Sequence, residues 1–252
     1  MGLVYAIANQ KGGVGKTTTA VNLGACIAER GEQTLVVDLD AQCNATVSLG
    51  LGRDERPSSY DCLCGDRSVA SAARPAAIAN LWVVPANRDL AGAAVELPGL
   101  ERSQYRLRDE LGDVRERFAA TLLDCPPSLG PLTVNALAAA DRAIVPVQAE
   151  YLALEGLVQF LDTLQTVRRE LNPALVLTGL LITMADERTR LAQDVVRELR
   201  DHFPELLLET VVPRSIKVAE APSFAIPVTE HAPASLGALA YRDLAKEVLA
   251  RG

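Results

Sequence analysis

Aromatic residues are scarce in this chain, at 4% of 252 positions. That scarcity argues against an aromatic-rich β-sandwich, while an apolar content of 49%, carried mainly by Ala, Leu and Val, suits helices packed on a buried parallel sheet. No apolar run is long enough to span a bilayer. Met1-Gly2-Leu3-Val4 opens a short apolar run with no basic region before it and no small-residue cleavage site after it, so no secretory signal is read there. Cysteines are few and odd in number (Cys26, Cys43, Cys62, Cys64, Cys125), and they lack paired metal-ligand spacing; reduced thiols in a cytoplasmic protein are the expectation. Positive charge is short as well. With 25 Lys and Arg against 32 Asp and Glu, the net charge of −7 excludes a protein that coats nucleic acid over its whole surface and confines any such contact to a local patch. Internal repeats and low-complexity tails are absent.

What is present is an alternation of buried strands and helices. At 252 residues one α/β domain spanning 1–252 is expected. Leu3 to Ala8 reads as a strand, a Gly-rich loop follows, and Ala20, Leu23 and Ile27 then fall at helical spacing within Thr17 to Ala28. Thr34 to Val37 and Ala120 to Leu123 read as buried strands ending at Asp38 and Asp124. Leu81 to Val84, Ala143 to Val147, Leu175 to Ile182 and Leu207 to Val212 are further strands, separated by helical patterns such as Leu154, Leu157, Leu161 and Leu164. The alternation predicts a doubly wound, mostly parallel sheet with helices on both faces. Gly50 to Pro75 reads as an irregular surface excursion. In such sheets ligands bind beyond the carboxyl ends of the strands, where the Gly loop, Asp38, Asp40 and Asp124 all fall.

Gly12-Gly13-Val14-Gly15-Lys16-Thr17 follows a strand and opens a helix. Its glycines let successive N–H groups turn inward around phosphate oxygens at the positive helix end, Lys16 would reach the β- and γ-phosphates, and the Thr17 hydroxyl would hold Mg²⁺. The loop is a variant. Where the general phosphate-loop pattern has its first glycine this chain has Gln10, followed by a second lysine, Lys11. A cation there would neutralise charge that builds up during phosphoryl transfer. A carboxylate near the γ-phosphate suffices to orient water, a role given to Asp40, although an Asx turn or a cap for a helix near Asn44 is the alternative for that residue. Asp124 would hold a water of the Mg²⁺ shell, with Asp38 supporting the metal site or the loop.

Lys11-Gly-Gly-Val-Gly-Lys16-Thr17-Thr18 resembles the marker of the deviant Walker A ATPases that include ParA and MinD. The similarity continues through Val36 to Gln42, Leu122 to Pro127, Val145 to Gln148 and Val212 to Arg214, nearly the whole chain. It implies a P-loop ATPase using ATP and Mg²⁺. It also implies that ATP closes a sandwich homodimer in which Lys11 reaches the partner subunit's nucleotide, and that Pro213 lies against the adenine. Ser215 stands where relatives often have asparagine. The last helix, with Leu236, Ala240, Leu244 and Val248 on one face and Arg242 and Lys246 opposite, lacks the Phe, Trp and dense basic residues of an interfacial helix. It reads as docked on the domain, so no membrane partner is expected and a MinD-like membrane-positioning ATPase is the alternative reading. Cys125 does not match the cluster cysteines of nitrogenase iron protein relatives. The segments Thr183 to Thr189 and Val212 to Ser223 are most similar to short chromosomal ParA proteins of the Soj type, without an N-terminal helix-turn-helix. That similarity implies a nucleoid-associated DNA-segregation ATPase, binding DNA non-specifically and stimulated by a ParB-type partner. The positions matching Arg188 and Lys217 touch DNA in that subgroup, and Arg214, Arg242 and Lys246 complete the candidate patch.

Overall fold

The computed structural model describes residues 2–112, 114–150, 153–186 and 188–251, with the backbone alone at 153–155 and 191. The side chain of Leu154 and the whole of Glu187, both within segments singled out above, lie outside the described residues. The strands are β1 (Leu3–Ile7), β2 (Thr34–Asp38), β3 (Arg74–Pro75), β4 (Leu81–Val84), β5 (Ala120–Asp124), β6 (Arg142–Gln148), β7 (Val176–Ala185) and β8 (Leu207–Pro213). They form one sheet in the order β3-β4-β2-β5-β1-β6-β7-β8. All neighbours run parallel except β3 against β4. The doubly wound architecture is therefore the one expected.

The central strands read as continuous apolar runs because both faces are covered. Val4, Ala6, Leu35, Val37 and Leu123 face one core, with the helices Pro131–Ala139, Ala153–Glu170 and Arg190–His202 supplying Leu137, Phe160 and Leu199. Tyr5, Ile7, Val36 and Leu122 face the other, closed by Leu23 and Ile27 of helix Lys16–Glu29 and Leu244 of helix Leu236–Arg251. Leu23 is wholly buried there, and truncating such a side chain to alanine costs about 2–5 kcal/mol. Gly24 lets this helix lie close on the sheet: a Cβ at that position would sit 3.0 Å from Val36 Cγ2 and 3.5 Å from Leu81 Cδ1.

Two segments differ from the sequence reading. The excursion from Gly50 to Pro75 carries the short helices Ser59–Leu63 and Val69–Ala72 and the edge strand β3. Asp61 accepts the Ser58 N–H at 2.8 Å in a reciprocal cap of the first of these helices. The last helix docks on the domain as expected, but it is rotated: Ala238, Tyr241, Leu244, Ala245 and Val248 are buried, whereas Leu236 is 73% exposed. Each four-residue step advances about 40° around a helix, so a stripe of such steps from Leu236 drifts off the face that Val248 anchors. Glu247 fixes the helix to the outer strand by accepting the N–H groups of Glu209 and Thr210 at 2.8 and 2.9 Å.

Candidate functional site

The loop after β1 is built to receive an anion. Gly13 and Gly15 hold φ of 76° and 89°, a region that side chains with a Cβ rarely enter and the backbone with which such loops line an anion site by their N–H groups. Helix Lys16–Glu29 begins with no side-chain cap and no acidic residue in its first turn. Its N-terminal N–H groups and positive dipole end are therefore left without a capping side chain or an acid of the helix's own first turn. The loop is clamped from neighbouring strand ends. Thr183 Oγ1 donates to the Val14 carbonyl at 2.8 Å, and Asn9 donates to the Pro146 carbonyl at 2.8 Å while accepting the Lys11 N–H at 3.0 Å.

Lys16 is buried, and its Nζ donates to the Lys11 carbonyl at 2.8 Å. Burial holds this ammonium below the ordinary lysine value, opposed chiefly by the charge of Asp124. Lys11 pairs with Glu150 at 3.5 Å, and Gln148 donates to the other Glu150 oxygen at 2.6 Å. The Lys11–Glu150 pair is partly exposed, a class worth about 0–1 kcal/mol, and so is readily exchanged for a stronger anion.

Asp38 and Asp124 sit side by side in register at the ends of β2 and β5. Asp38 is buried and well supplied: Oδ2 accepts the Thr46 N–H at 2.8 Å and the Thr46 hydroxyl at 2.7 Å, and Oδ1 accepts the Asp40 N–H at 3.1 Å. Burial nevertheless pushes its carboxyl up to about 6. Asp124 is also buried, and among the described residues neither of its oxygens has a well-formed hydrogen bond, the Thr17 hydroxyl being a neighbour only. Burial first, then the charge of Asp38, raises its carboxyl well above the usual range, while the nearby Thr17 hydroxyl opposes the rise. A buried carboxylate beside a threonine hydroxyl at the end of a phosphate loop fits a hard divalent cation.

Asp40 stands in a turn beside the phosphate loop. Its Oδ1 accepts the Gln42 N–H at 2.9 Å, an Asx turn, and the residue also lines a cavity of about 290 Å³ with Gly13, Lys16, Thr17, Pro127 and Met184. A second cavity of about 470 Å³ shares Thr17, Thr18 and Asn44 and extends past Arg53 to Pro222. Pro213 and Ser215 line neither. Pro213 lines instead a groove of about 1140 Å³ between the end of β8 and the last helix, together with Arg188, Arg214 and Lys246. Lys217 and Arg242 are not among its lining residues. Lys217 pairs with Glu220 at 2.9 Å, and Arg242 pairs with Glu29 at 2.8 Å while donating to the Pro233 carbonyl at 2.6 Å. Three of the five candidate basic residues thus come together.

Several residues that shape the site carry no signal in the sequence. Thr46 passes Asp38's bond onward by accepting the Ala86 N–H at 2.8 Å. Met184, beside the loop, holds φ of 51°, and Cys43, ahead of helix Asn44–Ser48, holds 56°; neither residue type announces a left-handed backbone.

A family model described as an AAA domain matches residues 2–177. The chain is 53% identical over 246 residues to the chromosome-partitioning ATPase Soj of Thermus thermophilus, covering 98% of this chain and 95% of that one. It is 47% identical over 253 residues to the sporulation initiation inhibitor protein Soj of Bacillus subtilis, with 100% of both chains covered. Among solved structures, a Mycobacterium smegmatis protein described as cobyrinic acid a,c-diamide synthase, with a bound ATP analogue and magnesium, superposes with a TM-score of 0.86. It is 40% identical and covers 98% of this chain and 93% of its own.

Proposed function

This chain belongs to the ParA/Soj family of ATPases, and we propose that it works there as an ATP-driven DNA-segregation switch. The observation that carries the nucleotide part is Asp124: a buried carboxylate with no well-formed hydrogen bond among the described residues, beside Thr17 and Lys16, at an uncapped helix N-terminus. Lys16 and the inward N–H groups of 12–18 bind the β- and γ-phosphates. Thr17 and Asp124, braced by Asp38, hold Mg²⁺, which supplies neutralisation of phosphate charge. Asp40 orients the attacking water, and Lys11 exchanges Glu150 for the partner subunit's nucleotide, so that ATP becomes part of a homodimer contact.

In the closed dimer Arg188, Arg214 and Lys246, with Lys217 nearby in sequence, meet duplex phosphates without reading bases. Non-specific binding asks for no more than such point charges. Two patches on one rigid body raise each other's effective concentration on the same duplex. Hydrolysis removes the γ-phosphate and with it the dimer, and a ParB-type centromere-binding partner accelerates that step. The working place is the nucleoid in the cytoplasm. The higher identity to the Soj proteins, 53% and 47%, favours segregation over the activity described for the 40% identical structural neighbour.

Among the described residues no helix is long and apolar enough to cross a membrane. The last helix buries Tyr241, Leu244 and Val248 on the domain and leaves Leu236, Leu239 and Leu249 exposed; docking of the Tyr241–Val248 face disfavours the MinD-like alternative. Sedimentation velocity tests the switch. Wild type with ATP and Mg²⁺ should shift from monomer to dimer, and Lys11→Ala should remain monomeric while still binding nucleotide. A single oligomeric state under ATP, ADP and no nucleotide would contradict the reading, and ATP-dependent pelleting with anionic vesicles would move it to the membrane alternative.

A further inference from the structure

We propose that Asp186 is a built-in competitor for phosphate at Arg188, an acidic counter-charge that masks this cation of the groove until a polyanion displaces it. The inference rests on the DNA-binding reading above. Arg188 donates from Nε to Asp186 Oδ1 and from Nη2 to Oδ2, both at 2.8 Å, and its own N–H points at Oδ1 at 3.2 Å. Two parallel bonds from a guanidinium fork are the geometry with which arginine takes a phosphate, so carboxylate and phosphate contend for the same face.

The two partners differ in freedom. The Arg188 side chain is 88% exposed and that of Asp186 24%. Asp186 is held by its own turn, its carbonyl accepting the Thr189 N–H and hydroxyl, both at 2.9 Å. Arg188 can therefore swing to a ligand while Asp186 stays behind. The hydrogen bonds from Arg188, with Arg214 adding its charge, hold the Asp186 carboxyl down at about 2, so the mask is ionised throughout the neutral range. Lys246 has a counter-charge too, a single contact to Asp243 Oδ1 at 2.8 Å within its own helix. Arg188 and Lys246 thus carry their own counter-charges, and a single patch is a weak binder. Two patches engaged together can displace both masks, which makes binding conditional on the dimer.

Asp186→Asn keeps the turn and the Oδ1 acceptor but removes the charge. Exposed ion pairs of this kind predict about a twofold to fivefold gain in duplex affinity per patch, multiplied over the two patches of a dimer. Fluorescence anisotropy with a random-sequence duplex, with ATP and with ADP across a salt series, reads the gain directly. The expected result is tighter binding by Asp186→Asn with ATP, measurable binding with ADP, and no gain when Arg188→Ala is added. Asp66→Asn, an equal change in net charge at an exposed and distant residue, should leave affinity unchanged. Wild-type binding with an unchanged or weaker Asp186→Asn would overturn the mask, as would a gain that persists without Arg188. No binding by either protein in any nucleotide state would overturn the DNA reading itself, and the mask with it.

Discussion

Thr46→Val removes one hydroxyl and keeps the side chain's shape, and the structure sets the size of its effect. The hydroxyl donates to the Asp38 carboxylate at 2.7 Å and accepts the Ala86 N–H at 2.8 Å, all within buried surroundings. Losing a bond to a charged group costs about 1.5–3 kcal/mol, and stranding a buried N–H costs about 1–3 kcal/mol. The two overlap where the site relaxes, so the variant should lose about 2–4 kcal/mol of unfolding free energy, or roughly 4–16 °C in Tm for a chain of this size. Equilibrium urea denaturation measures it. Thr46→Ser keeps the hydroxyl and should lose less than about 1.5 kcal/mol, the cost of a deleted methyl group. A Thr46→Val protein within about 0.5 kcal/mol of wild type, the range of an ordinary surface change, would refute the bridge between Asp38 and the chain after β4.

Other perturbations act on the same site. Burial raises the folded-state Asp38 carboxyl from 3.8 to about 6, so across that window the folded chain holds a proton that the unfolded chain has released. Stability from this group therefore falls as pH rises through the window, and Asp124, shifted in the same direction, adds to the fall. Urea midpoints at pH 5 and pH 7 should show wild type losing more than Asp38→Asn on going to the higher pH. Lys16→Ala should abolish ATP binding by calorimetry, because it removes the buried ammonium that faces the phosphate loop. Asp40→Ala should bind ATP and dimerise yet fail to turn it over, giving a longer-lived DNA complex in a dissociation assay.

Much of the architecture was legible because it depends on runs of residues. β4 matches the expected strand at both ends, and β2 and β5 end on the carboxylates that mark them, since an apolar run buried on both faces has no other place to go. The phosphate loop was legible for a similar reason: glycines at left-handed positions and a lysine opening a helix leave few alternatives. β3 was not, because two residues have no periodicity, and its proline is tolerated only because the strand lies on the sheet edge. The face of the last helix was misjudged at Leu236 because every fourth residue is a good guide over one turn and a poor one over three. Thr46 reaches the site through tertiary contacts alone, and no local pattern encodes it; Thr183 and Met184 lie in a segment that the family resemblance marks, but their place beside the phosphate loop comes from tertiary contacts. Arg242, read as part of a basic surface, meets Glu29 across 213 positions of sequence.

On the function proposed, ATP makes this acidic protein a DNA binder through dimerisation. Binding to a random-sequence duplex with ATP, with ADP and without nucleotide, across a salt series, tests it most directly. The prediction is binding with ATP alone, with log affinity falling linearly as log salt rises, because basic residues replace the counterions of the phosphates. Equal binding in all three states, or none in any, would contradict it.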